Sequence, residues 1–219
     1  MNKALLSVCA RAQKRSRTET VVKLTQKLSG KLNLDAGFGD GRYAECFGGN
    51  VVGLDLDSKS QKISKGKYHA IVLGSICHLP FKSRVFDYVL CSEVIEHIPK
   101  LQGEKALREL ERVSNFLLIT TPNRNKWFQI LSSLAYRREN PEHVSQWTVK
   151  EIREKHFEII HGCLGWVTAE RIPKIFRKIW NLLAWYFAEV FGGDLIAMKA
   201  KSSHVFRLFM NTWKLEGDN

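Results

Sequence analysis

The residues with the most chemical promise lie in one run, Leu32-Asn33-Leu34-Asp35-Ala36-Gly37-Phe38-Gly39-Asp40-Gly41-Arg42. Alternating apolar residues lead into Asp35, and Gly37, Gly39 and Gly41 then fall at every second position. Glycine there lets the backbone take positive φ and lets a ligand approach with no Cβ in the way. A helix expected over 41–47 would add free N–H groups and a positive dipole end. Asp55 closes a second apolar run, where a carboxylate can accept hydrogen bonds from a ribose diol. Dinucleotide sites share that acid but space their glycines G-x-G-x-x-G. Here the third glycine comes one position early, Arg42 stands where a later small residue should be, and an acid precedes the first glycine by two. The pattern fits a ligand with an amino-acid part and no pyrophosphate.

A strand–turn–helix alternation must carry these groups. Apolar runs predict strands over 31–36, 51–55, 68–73, 85–90, 116–120, 157–164 and 195–200. Helical patterns cover 18–29, 58–64, the stretch with Leu101, Leu107, Leu110 and Val113, and 148–155, where Thr148 and Glu151 form a capping box. Strands alternating with helices predict a parallel α/β sheet with ligands beyond the strands' carboxyl ends.

The chain has 219 residues, 44% apolar and 26% charged, an ordinary globular composition. We expect one domain over 1–219. Its five cysteines form no CxxC pair and give no metal-ligand spacing, so reduced thiols, a cytoplasmic setting and no metal are expected. The formal charge of +12 is unevenly placed: net +7 over 1–31, zero over 32–122 and +5 over 123–219. The basic flanks would suit nucleic acid, anionic lipid or an acidic small molecule, or simply a solvated surface.

Between residues 30 and 123 the sequence resembles the class I S-adenosylmethionine-dependent methyltransferases, in the group that includes small-molecule and quinone methyltransferases. The resemblance rests on Asp35 to Gly41, Asp55, Gly74 through Leu79-Pro80-Phe81, Phe86-Asp87 with Glu93 and Glu96-His97-Ile98, Glu109 to Val113, and Thr121-Pro122-Asn123. It implies a Rossmann-like, seven-stranded, mostly parallel sheet with helices on both faces and helical insertions after strands five and six. It also implies S-adenosylmethionine as cofactor. Gly37, Gly39 and Gly41 would form the turn passing its methionine and ribose. Asp35 would orient the amino group, Asp55 would hold the ribose hydroxyls, and Leu56, Ser75 and Ile76 would surround the adenine. Cys91, Ser92 and Glu93 would sit beside the methionine end. One departure is Ser75, where the family commonly has an acid to accept from the adenine amino group; a neutral hydroxyl makes a weaker bond.

Methyl transfer mainly needs a nucleophile held in line with the methyl carbon. A hydroxyl acceptor would call for a base, and the candidates are His97, His143 and Glu93. Residues 1–30 read as a basic helical segment, 31–123 as the cofactor half and 124–219 as the substrate side with lid helices. In that last part, Trp127/Phe128 and an amphipathic helix over 173–191 are core, pocket wall or a peripheral membrane face. No run is long enough to span a bilayer. The expected acceptor is a small or amphiphilic molecule. RNA is the weaker alternative, because no RNA module accompanies the basic N-terminal segment. A third reading keeps the fold as a binding protein without the chemistry.

Overall fold

The computed structural model describes residues 17–63, 66–123, 142–163 and 193–201. Its strands are β1 (Leu32–Ala36), β2 (Asn50–Asp55), β3 (Ala70–Leu73), β4 (Phe86–Ser92), β5 (Ser114–Asn123), β6 (Glu158–Cys163) and β7 (Gly193–Ala200). Its α-helices are α1 (Arg17–Leu28), α2 (Ser58–Ile63), α3 (Lys100–Val113) and α4 (Val149–Glu154). One seven-stranded sheet runs in the order β3-β2-β1-β4-β5-β7-β6. The five strands from β3 to β5 pair in parallel, whereas β7 runs antiparallel to both β5 and β6. Strand order reverses between β1 and β4, so a crevice is expected at their carboxyl ends.

Side chains one residue apart on a strand point to opposite faces. On β4, Val89 and Cys91 therefore join one apolar cluster while Tyr88 and Leu90 join the other. The first cluster is closed by α3 through Ala106, Leu107, Leu110 and Val113, a helical spacing that places them on one face. The second is closed by α1 through Val21 and Leu24. Helices thus cover both faces, as expected. Each fully buried leucine contributes about 1.5–3 kcal/mol relative to exposure.

The motif Glu109–Arg112 has a structural role. Glu109 accepts from the Leu79 amide at 2.9 Å, and Arg112 donates to the Leu79 and Phe81 carbonyls at 3.0 and 2.7 Å. The pair pins the Leu79-Pro80-Phe81 turn to α3. The Arg112 guanidinium, by hydrogen bonding, holds the Glu109 carboxyl well below the usual carboxylate range.

The expected helix over 41–47 is not an α-helix. A turn continues to Tyr43, and only a 3-10 turn forms at Ala44–Cys46. Positive φ at Gly37, Gly39 and Gly41 (76°, 54° and 69°) winds this stretch too irregularly for one. The capping box at Thr148 and Glu151 forms as the pattern predicted. The expected insertions after strands five and six, the aromatic 173–191 helix, and the segments before Arg17 and after Lys201 lie outside the described residues. Among the described residues no helix is long and apolar enough to cross a membrane.

Candidate active site

The glycine turn leaves β1 at the point where strand order reverses. The Gly37 amide donates to the Leu54 carbonyl at 2.6 Å, which fastens the turn to β2. A Cβ at Gly37 would lie 2.4 Å from a methyl of Val94, so only glycine fits the packing. Gly39 is different. A Cβ there would meet nothing within 4 Å, and its amide donates to Asp55 Oδ2 at 2.8 Å. Gly39 therefore faces open space. Asp55 Oδ1 accepts from the Asp57 amide at 2.9 Å, so this carboxylate links the ends of two loops. The Gly41 amide closes the turn on the Phe38 carbonyl at 2.8 Å.

The space beyond Gly39 is a cavity of about 170 Å³, lined among others by Asp35, Gly37, Gly39, Ser92, Glu93 and Arg17. Asp35 is buried and accepts from the Tyr68 hydroxyl at 2.7 Å. Burial pushes its carboxyl up to about 7, against the opposing effect of Tyr68 and with smaller repulsion from Asp55 and Asp40. Tyr68 was not among the expected site residues. Its phenol reaches Asp35 from just before β3, a contact that strand alternation does not signal.

Glu93 stands opposite, at a left-handed φ of 57°, unusual for a side chain with a Cβ. Three contacts hold it: its amide donates to the Thr120 carbonyl at 3.0 Å, Oε1 accepts from the Thr120 hydroxyl at 3.1 Å, and Oε2 pairs with Arg17 Nη1 at 2.7 Å. Ser92 shares the Thr120 hydroxyl at 2.8 Å. Arg17, the first residue of α1, thereby brings a guanidinium to the cavity.

The remaining expected site residues divide. Leu56 is 74% exposed beside Asp55 and offers an uncovered apolar surface. Ser75 is half-buried, and its Oγ accepts from the Cys77 amide at 3.2 Å. The side chains of Ile76 and Cys91 are buried in the apolar core. Burial pushes the Cys91 thiol strongly up.

Past Glu93 a 3-10 turn, Ile95–His97, carries two further groups. Glu96 is buried, with Oε2 accepting from the Thr121 hydroxyl at 3.0 Å. Burial and the neighbouring Glu93 charge push its carboxyl up to about 8. His97 Nδ1 meets the Glu142 carbonyl at 3.1 Å, and its ring stands edge-on to His143 with centroids 4.8 Å apart. The segment 142–148 is stitched to this turn. The Ser145 amide donates to the Glu96 carbonyl at 3.0 Å, and the Ser145 hydroxyl and Trp147 indole both donate to the Ile95 carbonyl, at 3.0 and 3.3 Å. The expected bases His97 and His143 are thus neighbours.

Residues 34–115 match the family model described as a methyltransferase domain. A ubiquinone biosynthesis O-methyltransferase of Bordetella avium is 30% identical over 122 residues, half of each chain. The chain spans about half the length of the curated relatives it matches. Among solved structures, the small RNA methyltransferase HEN1 has a TM-score of 0.59 at 19% identity, covering 85% of this chain and 25% of its own. A SAM-dependent methyltransferase from Archaeoglobus fulgidus has a TM-score of 0.55 at 17% identity, covering 86% of this chain and 97% of its own. Residues 34–115 thus match a methyltransferase domain, and the sheet has the fold of solved S-adenosylmethionine-dependent methyltransferases.

The Archaeoglobus fulgidus protein is S-adenosylmethionine-dependent by its description, and the residues present here fit that cofactor. Open space at Gly39, a buried carboxylate at Asp35 and a second acid at Glu93 suit a small cationic amino-acid group. Asp55 and the uncovered Leu56 follow at the end of the neighbouring strand.

Proposed function

We propose that this chain moves a methyl group from S-adenosylmethionine onto an oxygen of a small or amphiphilic acceptor. The carrying observation is the cavity at the strand reversal, where Asp35 and Glu93 line the same space as the unobstructed Gly39. The bound cofactor supplies a methyl group on a sulfonium sulfur, already a strong leaving group. Asp35, as the carboxylate, would accept from its amino group. Asp55 would receive the ribose hydroxyls, and Leu56 would lie against the adenine with Ser75 at its edge. Ser92 and Glu93 would bound the methionine end. Glu93 is held by Arg17 and Thr120, which suits orienting charge more than carrying a proton. That leaves His97, on the next turn, and His143, beside it on the 142–148 segment, as the groups to receive an acceptor's proton.

Oxygen is favoured as the acceptor atom by the likeness to the ubiquinone biosynthesis O-methyltransferase. RNA is a second reading, favoured by the net +7 of residues 1–31 and by the Arg17 contact with Glu93. Isothermal titration with S-adenosylmethionine tests the shared part: saturable one-to-one binding is expected, and absence of binding by folded protein overturns it. Transfer of labelled methyl to a catechol-headed amphiphile against transfer to RNA then decides between the acceptors.

A further inference from the structure

The 3-10 turn after β4 and the segment 142–148 bring three metal-capable side chains together. Glu96, His97 and His143 each offer a ligand atom, and these atoms all lie within 4.8 Å of one another. We propose that they form a divalent-cation site on the turn that follows Glu93, a residue lining the cavity.

Two observations beyond proximity point to a ligand. Glu96 is 2% exposed; Thr121 occupies Oε2, but Oε1 has no hydrogen-bond partner among the described residues. A buried carboxylate oxygen left without a partner is costly, and an ion supplies one. The second observation is the His97 tautomer. A carbonyl can only accept, so the Nδ1 contact with the Glu142 carbonyl at 3.1 Å puts the proton on Nδ1. The Nε2 lone pair is then free. Metal-ligating histidines are oriented in this way, with the other ring nitrogen donating to a backbone carbonyl.

The remaining geometry is permissive. An ion about 2.0–2.2 Å from each atom needs ligands separated by roughly 3–4 Å. His143 is half-buried and stands edge-on to the His97 ring. Trp147 and Ser145 fix the backbone on which His143 arrives by bonding to the Ile95 carbonyl. Two imidazoles and one carboxylate suit a first-row divalent ion such as Zn²⁺ or Mn²⁺ and leave coordination positions open.

The role assigned to the ion rests on the methyl-transfer reading; its binding does not. With an acceptor hydroxyl as a further ligand, the ion takes over the part of a histidine base, because the His97 and His143 lone pairs are then committed to it, and the O–H proton leaves to solvent more readily. The oxygen lone pair then forms the bond to the methyl carbon, and the S–C bond breaks with its electrons left on sulfur. Nothing is oxidised or reduced.

The test is made on the full chain without S-adenosylmethionine. Titration with Zn²⁺ by calorimetry and with Mn²⁺ by electron paramagnetic resonance should show one saturable site. His143→Asn and Glu96→Gln should each weaken it at least tenfold. Because Glu96→Gln touches a buried group, His143→Asn near the surface serves as the independent variant, with an unchanged melting temperature as its control. No saturable binding, or binding indifferent to His143→Asn in folded protein, overturns the site. If the ion binds but methyl transfer proceeds equally well with a chelator present, the site stands and its catalytic role falls.

Discussion

Asp35 sits in the cavity as a buried acid whose one described hydrogen bond comes from Tyr68. Its pKa of about 7 has consequences of definite sign. An acid raised by burial costs nothing while protonated in both the folded and unfolded chain, below the ordinary carboxylate range. The cost grows as pH rises toward 7, so through this group the cofactor-free protein loses stability between about pH 4 and 7. A cationic amino group at Asp35 favours the carboxylate and reverses the shift. Binding of S-adenosylmethionine should therefore expel a proton below pH 7, and affinity should fall by up to about tenfold per unit as pH drops further. Calorimetry at pH 6 in two buffers of different ionisation enthalpy measures the proton. Asp35→Asn should remove both the proton release and the pH dependence; a flat wild-type profile would count against Asp35 as the amino-group partner.

At the scale of elements, the glycine turn separates packing from access. Gly37→Ala drives a methyl into Val94 at a φ of 76° and should cost about 1–3 kcal/mol, read by denaturant unfolding. Gly39→Ala has the same backbone cost of about 1–2 kcal/mol at φ 54° but no neighbour to strike. Its methyl projects into the cavity, so cofactor affinity should fall at least tenfold beyond any stability loss. Equal effects of the two substitutions on affinity would show that the cavity beyond Gly39 is not the binding space. The 142–148 segment depends on Trp147, which is fully buried, packs where a Cβ on Gly103 would lie 2.6 Å away, and carries Lys100 Nζ 3.7 Å over its ring. Trp147→Ala should cost about 3–5 kcal/mol. It should also release His143 from His97, detectable as changed His97 imidazole chemical shifts by NMR.

For the whole molecule, what could be read in advance depends on the distance over which each signal acts. Asp35, the three glycines and Asp55 announce themselves because a strand end, a positive φ and a second strand end are local events. The sheet was legible from alternation and spacing, including the capping box at Thr148. The helix over 41–47 was not, because three residues at positive φ in one short loop override the helical propensity of Tyr43 to Phe47. Tyr68 on Asp35 and His143 on His97 were hidden for another reason. Each contact joins residues from different elements, and no periodicity in one segment reports what another segment brings to it. For Cys91 and Ile76 the resemblance implies a place beside the cofactor, and their side chains belong to the apolar core.

The Tyr68 bond also bears on the sheet's margin. β3 is an edge strand, joined to the rest only through β2 and half-exposed along its length. The residue that leads into it grips the carboxylate at the sheet's centre. The outermost strand is thereby made a tenant of the cavity: when Asp35 gains a cationic partner, the phenol's acceptor becomes permanently charged and the bond strengthens. Amide hydrogen exchange in 68–73 should slow on addition of S-adenosylmethionine, although none of these residues lines the cavity, and Tyr68→Phe should abolish that protection while leaving β1 and β4 protected. A margin that fastens only when the centre is filled gives the protein a way to register occupancy along its rim.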